Sequence, residues 1–270
     1  MWRLRGRIRP IRLPAEVLYI LGGTATAIER THQMPAPTRR AAGSTSTPRK
    51  PDADRTRRDI LEVACREFAE HGLSGARVDA IAERMRTTKR MIYYYFGSKE
   101  GLYLAVLEQA YAEMRRADSQ RDLDGLNPIE ALRRIIERTF DYQESHPDFI
   151  RLVSIENIHH GRHLAKSKAL RELNTAAIET LREVLTRGQQ AGVFRTDIDP
   201  VDLHMMISAL CFFRVSNRHT FGALFQYEMS SPALRDKHRR MIVDAILRVL
   251  EPGRTGQALA MADVVAVGGC

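Results

Sequence analysis

Lys89 and Arg90 open a short run, Lys89-Arg90-Met91-Ile92-Tyr93-Tyr94-Tyr95-Phe96, that Thr87 or Thr88 can cap as a helix. Cations in a first turn oppose the helix dipole, so helix stability does not explain them. Their place suits contact with phosphates or base edges, because a recognition helix enters the major groove by its N-terminal residues. Ile92 and Phe96, four apart, belong to the inner side. Tyrosine hydroxyls beside Met91, from Tyr93 and Tyr95, can donate to phosphate oxygens. The tyrosines also suit an aromatic core, but polar start, cationic turn and aromatic end together favour DNA. Ser98 can cap the next helix, and Lys99 lies at that helix's amide-rich start, where an anion is favoured.

Other groupings do not reach chemistry. There is no G-x-S-x-G, no P-loop and no H-E-x-x-H, and Ser208, Ser216 and His204 do not assemble into a triad. An enzyme is not expected. His159 and His163 have the i, i+4 spacing of a metal pair, but Gly161 lies between them and only Asp148 and Glu156 are nearby acids. They read as surface or pocket-lining histidines, with no metal and no cofactor. Cys65, Cys211 and Cys270 form neither a zinc cluster nor a disulfide framework, which fits a reducing, cytoplasmic setting. No apolar stretch approaches the length of a membrane span, so no membrane partner is expected.

The elements that must position these residues are helical. Ile60, Leu61, Ala64, Phe68 and Ala69 recur at three- and four-residue spacing, with Arg57, Arg58, Glu62, Arg66, Glu67 and Glu70 mostly off that face, and Gly72 stops the helix. A second helix starts at Val78, carries Val78, Ile81, Ala82 and Met85 inward and ends around Arg86. The third spans 89–94. Two short helices a few residues apart make a helix-turn-helix.

Over residues 55–107 the chain resembles the DNA-binding domain of the TetR family of bacterial transcriptional regulators. The matching pieces are Ile60-Leu61, Ala64, Phe68-Ala69 and Gly72; then Val78 and Ile81-Ala82; then Ile92 to Phe96; then Ser98-Lys99-Glu100 and Leu102. The resemblance implies the helix of residues 88–94 as recognition helix. It implies Thr88, Lys89, Arg90, Met91, Tyr93 and Tyr95 as groove- and phosphate-facing, and Lys99 as a phosphate contact. One departure stands out: the family's Gly-apolar turn is here Arg86-Thr87. If the turn is kept, Arg86 must adopt the backbone conformation of a glycine.

Further helices are expected over 102–116, 128–144, 149–158, 164–187, 201–214, 218–226 and 233–249, with a polar linker at 118–127. The fold class is all-α: an N-terminal three-helix helix-turn-helix domain, then a helical domain for ligand binding and dimerisation. The domain boundaries are a disordered basic leader at 1–50, the DNA-binding domain at 51–100, the helical domain at 101–250 and a disordered tail at 251–270. Of the formal net charge of +9, the first fifty residues hold ten bases and two acids, so the basic excess belongs to the leader.

For such regulators the resemblance implies a two-fold dimer and a small-molecule effector. The apolar runs 203–215 and 241–249 suit a homodimer bundle, and a palindromic operator needs two heads. Phe140, Phe149, Leu152, Ile155, Phe212, Phe213, Asn217, Phe221 and Phe225 are candidates for an aromatic and aliphatic wall around a largely apolar molecule. His159, His160, Arg214 and Arg218 are candidate polar anchors, as for a carboxylate; the wall residues equally suit an ordinary core. The expected function is a ligand-responsive regulator, a repressor, that binds palindromic double-stranded DNA. The alternative is a ligand-independent architectural DNA-binding protein, against which the neutral body of about 150 residues argues.

Overall fold

The computed structural model describes residues 50–117 and 123–253. Within them all regular structure is helical: α1 (Lys50–Gly75), α2 (Val78–Arg84), α3 (Lys89–Phe96), α4 (Lys99–Ala117), α5 (Pro128–Ser145), α6 (Pro147–Ile158), α7 (Lys168–Gln190), α8 (Pro200–Ser216), α9 (Arg218–Phe225) and α10 (Pro232–Val249). The readings of a leader and a tail fall almost wholly outside the described residues.

In α1 the side chains of Ile60, Leu61, Ala64 and Phe68 are buried. Gly72, at φ 67°, interrupts the helix before one last turn. Glu67 corrects the sequence reading. It is buried rather than outward, its carboxylate accepts the Arg77 N–H at 2.9 Å, and it pairs with Arg84 at 3.0 Å. A buried carboxylate needs such partners, and here they sit at the two ends of α2, so Glu67 ties α2 to α1.

Local caps set most boundaries in the body. Asn127 accepts the Glu130 N–H ahead of Pro128, and Asp199 accepts the Val201 N–H ahead of Pro200. The single helix expected over 164–187 is broken. Leu164–Lys166 is a 3-10 turn, and Ser167 is extended. Its hydroxyl accepts the Leu170 N–H at 3.1 Å to begin α7 and donates to Glu108 of α4 at 2.6 Å. Near the far end of α7 the ring of Phe194 lies so close to Gly188 that an added Cβ would be 1.9 Å from it.

Two apolar clusters result. One is built from α1 to α4 and continues into α6 through Phe149, Ile150 and Leu152, reaching Leu170 and Val215. The other joins α5, α7, α8 and α10. The first encloses a polar group: Glu156, 1% exposed, accepts from the Tyr103 hydroxyl (3.0 Å) and the His163 and Leu164 N–H groups, with His163 Nδ1 at 2.7 Å. Burial pushes the Glu156 carboxyl up, but the hydrogen bonds outweigh it and hold the group below the usual carboxylate range. His163, read from sequence as exposed or pocket-lining, is therefore a buried partner of Glu156. No helix among the described residues is long and apolar enough to cross a membrane.

Candidate functional site

The turn between α2 and α3 keeps its geometry with Arg86 in place of glycine. Arg86 has φ 51°, its N–H bonds Glu83 O at 3.1 Å, and the Thr87 N–H bonds Ala82 O at 3.0 Å. These two bonds and the left-handed residue make a Schellman motif, in which glycine is the usual occupant. Thr88 then caps α3 by accepting the Met91 N–H at 3.3 Å. Gly97, at φ 73°, closes α3, and Ser98 caps α4 by accepting the Gly101 N–H at 2.9 Å. A Cβ on Gly101 would stand 2.2 Å from Phe96 O, so the end of α3 lies directly on the first turn of α4.

Ile92 is fully buried and fixes the rotation of α3. Lys89, Arg90, Met91 and Tyr93 are left exposed on it. Lys89 Nζ pairs with Asp79 of α2 at 2.7 Å, whereas Arg90 has no ion pair among the described residues. Tyr95 is half-buried against the head core and Phe96 sits under the Arg57 guanidinium at 5.3 Å. Lys99 Nζ donates to Ser74 O at 3.2 Å, which places its charge between the ends of α1 and α3. The most exposed of the large apolar and aromatic residues of α3 is Tyr94, at 79%, which the sequence reading did not single out. Its signal was the four-residue spacing from Arg90, which puts both on one face.

The candidate effector residues do not form one wall. Phe140 is buried in the second cluster, while Phe149 and Leu152 are buried in the first, against which Phe212 packs. Ile155 and His159 are half-buried, His159 edge-on to His163. Asn217 bonds Ser216 Oγ at the junction of α8 and α9. Phe213 and Phe221, with ring centroids 6.2 Å apart, do line a common cleft. It lies between α8, α9 and α10, measures about 440 Å³, and is bounded also by Arg214, Phe225, Tyr227 and His238. Among the described residues no cluster of metal-ligating side chains occurs. Burial pushes the thiols of Cys65 and Cys211 up to about 12, so neither is a ready nucleophile.

The comparisons agree with this geometry. Residues 60–106 match the family described as bacterial regulatory proteins, tetR family, and residues 128–246 match the tetracyclin repressor-like C-terminal domain. The chain is similar to the HTH-type transcriptional repressor NicS of Pseudomonas putida, 39% identical over 202 residues covering 75% of this chain and 95% of that protein. It is also similar to the HTH-type transcriptional repressor SCO4008 of Streptomyces coelicolor, 32% identical over 61% of this chain and 80% of that one. Among solved structures, the putative transcriptional regulator SCO4942 of Streptomyces coelicolor superposes with a TM-score of 0.55 at 27% identity, covering 72% of this chain and 98% of that one. The capped α2–α3 pair, the helical body and these matches together place the chain in the TetR family of bacterial transcriptional regulators.

Proposed function

We propose that the protein is a ligand-responsive transcriptional repressor that binds a palindromic DNA operator as a homodimer and releases it when a small molecule occupies the body. The observation that carries this reading is α3: Ile92 anchors it, Thr88 caps it, and Arg90, Met91, Tyr93 and Tyr94 face outward. Thr88, Lys89, Arg90 and Met91 supply the groove contacts, and Tyr93, Tyr95 and Lys99 the phosphate contacts. The Lys89–Asp79 pair is exposed and weak, so it exchanges for a phosphate at little cost. The similarity to named repressors supports repression rather than activation.

Two stripes favour the dimer. Val201, Met205, Ala209 and Phe213 on α8 repeat every four residues and are exposed, as are Met241, Ala245 and Val249 on α10. Side by side they form an apolar face that an identical face covers under two-fold symmetry. An architectural protein has no need of this face or of a body cleft.

Fluorescence anisotropy on genomic fragments tests the reading. A preferred duplex should bind with steep salt dependence, Arg90→Ala should change the preferred sequence, and Tyr93→Phe should weaken all duplexes alike. Binding that does not distinguish the fragments from random duplex refutes it.

A further inference from the structure

Arg86 holds a backbone conformation that its side chain does nothing to secure. Its φ of 51° lies in the left-handed region, where a residue with a Cβ gives up stability that glycine keeps. The motif it closes is built from backbone alone: the Arg86 N–H bonds Glu83 O, and the Thr87 N–H bonds Ala82 O. Glycine makes both bonds without the strain. The side chain is exposed, and among the described residues its guanidinium makes neither an ion pair nor a hydrogen bond, although Glu83 is exposed three positions earlier. Its neighbours differ. Of the cations between Val78 and Phe96, Arg84 pairs with the buried Glu67 at 3.0 Å and Lys89 with Asp79 at 2.7 Å. Arg86 and Arg90 are left with no ion pair among the described residues.

Strain kept for a side chain that is idle in the fold points to work outside it. Arg86 stands two residues before Thr88, the cap of α3, so their Cα atoms are at most about 7 Å apart. In a helix-turn-helix the first helix crosses the sugar-phosphate backbone and the second enters the groove by its N-terminal end, so the turn between them stands near the rim, where the phosphates run. A guanidinium suits that place. It is planar and permanently charged, and its fork of N–H donors matches two phosphate oxygens. Lys89 must leave Asp79 before it can meet a phosphate; Arg86 has no carboxylate to leave. Its position ahead of the cap, and not on the helix that lies in the groove, favours phosphate over base edges. We propose that Arg86 is a further DNA contact, its guanidinium clamping a phosphate at the groove rim beside the start of α3. The contact rests on the DNA-binding reading above and adds to the phosphate contacts of Tyr93, Tyr95 and Lys99.

The test is fluorescence anisotropy of the full chain on a preferred and on a random duplex over a series of salt concentrations, with Arg86→Gly, Arg86→Lys and Arg133→Ala beside the wild type. Arg86→Gly should bind both duplexes about tenfold more weakly, and the slope of log affinity against log salt should fall by about two, one phosphate for each head of a dimer. Its urea midpoint should rise at the same time. Weaker binding by a more stable protein separates a lost contact from a damaged fold. Arg86→Lys keeps a point charge without the fork and should fall between. Arg133 is exposed on α5 and has no ion pair among the described residues, so Arg133→Ala removes the same charge from the body and should leave affinity and slope unchanged. Unchanged affinity and slope in Arg86→Gly overturn the proposal, as does an equal loss in Arg133→Ala, which makes the effect one of net charge. A loss confined to the preferred duplex overturns the phosphate assignment and makes Arg86 a reader of bases. If the wild type does not distinguish the two duplexes, sequence-specific repression falls, and the difference in slope on the random duplex still decides the role of Arg86.

Discussion

Replacing Arg86 by glycine isolates the cost of a single backbone conformation. Arg86 is exposed and holds φ 51° to close the Schellman motif between α2 and α3. A residue with a Cβ gives up about 1–2 kcal/mol in this left-handed region, whereas glycine does not. Glycine returns about 0.4–1 kcal/mol of that through its freer unfolded chain. The net expectation for Arg86→Gly is a gain of about 1 kcal/mol. For a protein of this size that corresponds to a rise in Tm of about 2–4 °C. Arg86→Ala is the control, because it removes the same long cation and keeps the Cβ. Urea unfolding of the three proteins, followed by circular dichroism, measures the differences. If alanine and glycine raise the midpoint equally, the gain comes from losing the arginine side chain, and the argument from backbone strain is refuted.

Gly188→Ala should destabilise by about 1–3 kcal/mol, because the new Cβ must displace the buried ring of Phe194. Combining it with Phe194→Leu should cost less than the sum of the two single changes, and strict additivity would contradict the contact. Thr88→Ala should remove about 0.5–1 kcal/mol through loss of the α3 cap, read by thermal denaturation against Thr87→Ala, which should be near neutral. Glu156 supplies a pH prediction. Its folded value lies below the unfolded one, so its contribution is complete above the ordinary carboxylate range and disappears as pH falls through the lowered folded value. Stability of the wild type should fall across that window while Glu156→Gln, weaker at neutral pH, shows a flatter profile; parallel profiles would exclude a linkage at this residue.

Legibility in the sequence followed the range of the causes. Helices bounded by local signals were plain: Asn127-Pro128 and Asp199-Pro200 fix their starts through partners two or three residues away. The head was legible for the same reason, down to the conformation demanded of Arg86. What escaped depends on partners remote in the chain. Glu67 resembles any surface glutamate until Arg77 and Arg84 surround it. The break at Ser167 answers to Glu108, fifty-nine residues earlier. The effector residues scattered because Phe140, Phe149 and Leu152 carry the same apolar signal whether they fill a core or line a cavity. Periodicity reports which face is inward and not whether anything is left empty behind it. Arg214 shows the converse. It was noted as a cation, but only the fold reveals that it is buried with one nitrogen unanswered.

The continuity of the first apolar cluster across α1, α4 and α6 bears on how freely the parts of this molecule can be exchanged. Phe68 of α1 meets Tyr103 of α4 edge-on at 5.0 Å, and Tyr103 is bonded in turn to Glu156 of α6. A chimera that joins this reading head to a foreign body at Gly97 would sever the ring pair and uncover the α1 surface that rests on α6. The transferable unit is therefore not a contiguous stretch of sequence. It comprises residues 50–117 together with the face of α6 that bears Phe149, Ile150 and Leu152, thirty residues further along the chain, and a graft designed on that boundary carries its own floor with it.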